Sequence, residues 1–193
     1  AWHRHDSIVL GQPTTAGWIA QHGLSQTIQD LLVVSFRSFW AQFGWMGVLI
    51  DSRLYLLLAA VSVVVFAGFV LWLWRIARKP ASLSGFQRWA LLLLLLVFLL
   101  VVAAHVSYNL KFVQHQGRYL FPALAPIGLA FALGLSEWVL LGARLMARLP
   151  LPRRVHASLP VILRSVVFFV LCLGFALLDL GCLYLFIVPQ LRR

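Results

Sequence analysis

Acidic residues are scarce in this chain: five Asp and Glu stand against 16 Lys and Arg among 193 residues, and charged residues of both signs make up only 11%. With 62% of residues hydrophobic, so little charge excludes an ordinary soluble domain and predicts an integral membrane protein. Cysteine is scarce too. Cys172 and Cys182 lie ten positions apart in one apolar run. On a helix that is roughly 15 Å, beyond disulfide reach, so both read as ordinary buried side chains. No Met begins the chain, which opens AWHRHD without a charged-then-apolar leader; a piece of a longer protein, or a processed one, is expected. A hydrolase elbow, a phosphate-binding glycine loop and a haem-attachment motif are all missing. His3, His5, Asp6 and His22 lack the closing spacing typical of zinc, so neither a metal nor another cofactor is expected.

What is present is apolar length. Four segments reach the roughly 20 residues needed to cross a bilayer, at 54–74, 89–109, 119–142 and 165–188. Trp72, Trp74, Trp89, Trp138, Tyr55, Tyr108 and Tyr119 lie towards their ends, where amphipathic rings prefer the head-group layer. The expected fold is therefore all-α, with about four transmembrane helices in residues 53–193 and an exoplasmic segment in residues 1–52. The excess cations would suggest nucleic acid in a soluble chain, but they cluster in two short breaks between spans. Arg75, Arg78, Lys79 and Arg88 occupy 75–88; Arg144, Arg148, Arg153 and Arg154 occupy 143–157. No RNA- or DNA-binding motif accompanies them, and the positive-inside rule makes both loops cytoplasmic. Membrane lipids, not nucleic acid, are the expected surroundings.

Within the exoplasmic segment, residues 1–24 read as irregular, with Gly11, Pro13, Gly17 and Gly23. Residues 25–43 carry Ile28, Leu32, Phe36, Phe39 and Phe43 at three- and four-residue spacing, with Asp30, Arg37 and Ser38 opposite. That pattern predicts an amphipathic helix, capped by Ser25, either lying in the interface or packed on the spans.

The stretch 112–126, FVQHQGRYLFPALAP, is the candidate site. Arg118 offers a planar fork of donors suited to phosphate, and Gly117 permits close backbone approach. Lys111 and His115 are near in sequence. Pro122 suits a helix start, while Pro126 marks a kink or an opened first turn. A helix start here would also turn unpaired N–H groups towards an anion. The competing reading is an arginine snorkelling to ordinary lipid phosphate. Polar groups inside the spans form a second set: Asp179, and His105 with Asn109 four residues on, sharing a helix face. An intramembrane acid is costly and ordinarily faces a partner in the bundle. Glu137 is expected to pair with a loop arginine. Ala130 and Gly134 are expected to let helices pack closely.

SFWAQFGWMGV at 38–48 and QGRYLFPALAP at 116–126 together resemble a family of bacterial polytopic membrane proteins allied to the GT-C glycosyltransferases, which use polyprenyl-phosphate-linked sugars. Arg118-Tyr119-Leu120-Phe121-Pro122 also resembles the arginine-tyrosine-proline element of aminoarabinose and mannose transferases in that superfamily. The resemblance covers about 25–135. It implies a lipid-phosphate donor at the exoplasmic face of the bacterial cytoplasmic membrane, contacted by Arg118 with Lys111 or His115 assisting. The family's catalytic acid, early in its first exoplasmic loop, has no match in Asp6, Asp30 or Asp51. The expected function is thus a carboxy-terminal membrane part that does not catalyse transfer alone. The rivals are a non-enzymatic subunit packing against other membrane subunits and, more remotely, a transporter with Asp179 as a proton site.

Overall fold

The computed structural model describes residues 13–43, 46–79, 83–146 and 153–191, with side chains described up to 189 except at 153–160. It is an all-α, multi-pass membrane protein. Four helical stretches are long and apolar enough to span a bilayer: Ser52–Arg78, Gly85–Asn109, Gly117–Met146 and Val161–Ile187. The chain order is α1 (Thr15–His22), α2 (Leu24–Trp40), two-residue strands at Gln42–Phe43 and Val48–Leu49, α3 (Ser52–Arg78) and α4 (Gly85–Asn109). A 3-10 helix (Gly117–Ala123) then leads into α5 (Leu124–Met146), and α6 (Arg153–Gly181) is followed by a π-helical turn (Cys182–Ile187) and α7 (Val188–Leu191).

Local chemistry sets the helix ends. Thr14 caps α1, its Oγ1 accepting from Gly17 N–H at 3.3 Å, so part of the expected irregular segment is helical. Gly23, at φ 84, turns the chain directly from α1 into α2. The α2 cap is therefore Gly23, not Ser25, and Thr27 Oγ1 donates back to Gly23 O at 2.8 Å. Asp51 caps α3 by accepting from Arg53 N–H at 2.7 Å. Ser84 and Gln87 form a reciprocal capping box, at 3.2 and 2.9 Å, which starts α4 ahead of the apolar run. Pro122 lies inside the 3-10 helix and Pro126 in the first turn of α5, where its missing N–H removes no intrahelical bond. At the far end, Val188 N–H reaches back five residues to Leu183 O. Pro189, just beyond, cannot take part in the tighter α pattern.

Contacts group the chain into two compact units, Ala1–Gly47 with Ala90–Pro126 and Val48–Trp89 with Ile127–Arg193. In the first unit, α2 packs on the 3-10 helix. The packed face carries the small polar residues: Thr27 and Ser38 are buried, while Leu24, Ile28 and Leu32 face outward. The reason is Gly117, where an added Cβ would overlap Ser35 O and crowd the Phe39 backbone. Small side chains such as Ser35 and Ser38 on that face allow the approach.

In the second unit, α3 buries Tyr55, Leu58, Val65, Gly68 and Trp72, a helical stripe at steps of three, four and seven residues. It meets α5 at glycines. A Cβ on Gly68 would strike Gly134 O and the Trp138 indole, and a Cβ on Gly134 would strike Val65 O. The Trp138 Nε1–H then donates to Val64 O at 2.8 Å. Gly134 thus packs as its sequence position implied.

Candidate lipid-phosphate site

The loop after α4 is built on Asn109. Its Nδ2 donates to His105 O at 2.9 Å, and its Oδ1 accepts from Gln114 N–H at 3.1 Å. Its backbone oxygen accepts from Thr15 Oγ1–H at 2.7 Å. Thr15 N–H donates to Lys111 O at 3.1 Å and Val113 N–H to Pro13 O at 3.0 Å, so an antiparallel bridge pairs Thr14 with Phe112. His105 Nε2 lies 3.2 Å from Ser35 Oγ on α2. His105 and Asn109 are both buried. Their shared helix face, legible in the sequence, serves to tie α4, α2 and the loop together, and the carbonyls at the α4 end find partners there.

From this base the chain enters the 3-10 helix. Gly117 N–H donates to Ser38 Oγ at 2.6 Å, and Ser38 Oγ–H donates to Val34 O at 2.6 Å. Phe121 meets Phe39 edge to face at 5.8 Å. Gln114 Nε2–H donates to the Tyr119 hydroxyl at 3.0 Å. Gly117 N–H is therefore already engaged, and the opening turn is a seven-residue 3-10 helix. The helix start expected here is thus a 3-10 turn whose first N–H is already used by Ser38.

Arg118 and Lys111 are exposed, whereas His115 is buried. The Arg118 guanidinium lies 5.8 Å from the centre of the Tyr119 ring. Burial holds the His115 imidazole below its ordinary value, with Asp30 pulling it up and His105 adding to the depression. Folding thus buries His115 and favours its neutral form, and Arg118 and Lys111 are the exposed cations of the loop. Gln116 Oε1 is buried without a hydrogen-bond partner among the described residues, an acceptor that the sequence did not single out. The loop's supports Thr15, Ser35 and Ser38 were likewise not identified from sequence, because each reaches its partner across 70 or more positions.

The remaining candidates lie elsewhere. Asp179 is exposed on α6 and makes no hydrogen bond or ion pair among the described residues, contrary to the interior partner expected of it. Cys172 is exposed too, and only Cys182 is buried; both are free thiols. Asp30 accepts from Gln26 Nε2–H at 2.8 Å, and Asp51 is the α3 cap. His3, His5 and Asp6 lie outside the described residues, while His22 stacks on Trp18 at 4.1 Å. Glu137 forms the expected pair with an arginine, Arg75, at 2.8 Å. Comparison with models of protein families, with curated proteins and with solved structures finds no match to this chain.

Proposed function

We propose that this chain is the membrane part of a GT-C-like transferase, holding a polyprenyl-phosphate-linked sugar at the exoplasmic face of a bacterial cytoplasmic membrane. The observation that carries the reading is the exposed Arg118 on a loop pinned from beneath, where Gly117 N–H is held by Ser38 and Gln114 N–H by Asn109. A guanidinium on a fixed backbone loses less freedom when it grips a phosphate in two places. Arg118 would stabilise the donor phosphate as it leaves, with Lys111 adding charge. The general base that activates the acceptor hydroxyl would be a carboxylate of another segment or chain. The loops 75–88 and 143–157 are cytoplasmic in this reading.

The test is Arg118→Ala, assayed for retention of a synthetic polyprenyl-phosphate sugar in detergent. Binding should be lost while thermal unfolding stays within about 0.5 kcal/mol of the parent, as for other surface substitutions. Undiminished binding would remove Arg118 from the site.

The second reading, a subunit of a larger membrane complex, draws on Asp179. An outward-facing acid within a span calls for a polar or basic partner on a neighbouring helix. If Asp179→Leu leaves Arg118-dependent binding intact but abolishes co-purification of another membrane chain, the protein works within an assembly.

A further inference from the structure

At the arginine-rich ends of α3 and α5, within the second unit, lies a cavity of about 370 Å³. Its walls carry Arg75, Arg78, Lys79 and Arg144 against a single carboxylate, Glu137, with Trp74 beside them. Leu71 and Leu141 supply the apolar part of the lining. We propose that this cavity binds a phosphate-bearing anionic group, carried either by a phospholipid head group or by a soluble phosphate. It shares no lining residue with the Arg118 loop and does not depend on the transferase reading.

The cavity is more built than a scatter of loop cations. Glu137 is buried and grips Arg75 in two places, Nε–H donating at 3.0 Å and Nη2–H at 2.8 Å. That pair consumes the one carboxylate and fixes Arg75 as a rigid wall. Arg78 lies over the Trp74 ring with its guanidinium carbon 3.8 Å from the ring centre, which holds a second planar donor in place. Lys79 and Arg144 are exposed at the rim. Cations at helix carboxy-termini also complement the helix dipole, but that role requires neither a cavity nor an ordered guanidinium. The volume falls in the range of small-ligand pockets, and basic recesses between spanning helices are suited to anionic head groups. The apolar wall would take the start of an acyl chain, and the cations its phosphate.

The experiment uses the full chain in nanodiscs, with lipid retention counted by native mass spectrometry. Phosphatidylcholine discs are titrated with phosphatidylglycerol in one arm and with inorganic phosphate in the other. The parent should retain an anionic ligand that Arg78→Ala with Arg144→Ala holds roughly tenfold or more weakly. The control, Arg88→Ala with Arg164→Ala, removes equal charge away from the cavity and should leave retention unchanged. Arg78→Lys with Arg144→Lys, which keeps the charge, should retain part of the affinity and guards against misfolding of the alanine pair. Retention in the phosphatidylglycerol arm alone assigns a lipid head group; protection by inorganic phosphate in the other arm assigns a soluble phosphate. Equal loss in the control pair, or no retention in either arm, would overturn the site.

Discussion

Two regions show how differently this chain secures its helices. Around Asn109, the first unit relies on neutral hydrogen bonds, several of them to backbone carbonyls, through Thr15, Ser35, Ser38 and Gln114. At the end of α3, the second unit relies on one charged pair, Arg75 with Glu137, closing against α5. Both place glycine where backbone meets backbone, Gly117 in one and Gly68 with Gly134 in the other. Each neutral bond contributes about 1 kcal/mol and the bonds can loosen singly, whereas a buried carboxylate stripped of its cation has no lesser arrangement to adopt. A presenting loop and a rigid helix crossing call for these two solutions respectively.

The largest effects should come from the shared feature. Gly117→Ala and Gly134→Ala each force a methyl into backbone that no side-chain rotation can clear, and should cost about 3 kcal/mol in denaturant unfolding. Gly142→Ala, on α5 with nothing within 4 Å of the new methyl, should instead stabilise by up to ~1 kcal/mol. Equal effects at all three would dissolve the glycine part of the comparison.

Removing one partner of the ion pair comes next. Arg75→Met strips the buried Glu137 of its cation and should cost about 3 kcal/mol, the lower end for buried pairs because Arg75 itself is 36% exposed. Replacing both partners, Arg75→Met with Glu137→Leu, should recover most of that loss. No recovery in the same unfolding assay would mean that the pair does more than satisfy its own charges.

Asn109→Ala should cost about 2 kcal/mol, since it removes the bonds to His105 O and from Gln114 N–H, each worth roughly 1 kcal/mol. Amide exchange at Gln114 should quicken more than exchange in α3. Uniform quickening would show that the loop does not loosen on its own.

The smallest effect is the pH response of the loop. His115 is depressed below 6.5 in the folded chain, so folding favours its neutral form. That contribution is complete above pH 6.5 and is lost as pH falls below it towards the folded value. Stability should therefore decline on acidification below 6.5, and His115→Gln should flatten that decline. An unchanged slope would assign the response to other groups.

Much of this could be read from the chain alone where the information is local. The four spans follow from summed hydropathy, and α3 and α4 start before their apolar runs because the capping groups Asp51 and Ser84 lie just outside them. Glu137 was expected to find an arginine because it lies near the arginine-rich end of its span. The α2 helix shows the limit. Its period was plain, yet its buried face is the one bearing Thr27 and Ser38, because Gly117, 79 positions from Ser38, required small neighbours.

The sequence by itself determined the membrane class, the number of spans and the clustering of positive charge, because these depend on composition and on runs of about 20 residues. Tertiary structure alone decided that His115 lies buried while Arg118 is exposed, and that Asp179 faces outward. It also decided that Arg75, Arg78 and Arg144 share one cavity. Those outcomes depend on which helix faces meet, and close packing at single glycines sets that choice across separations that no local pattern encodes.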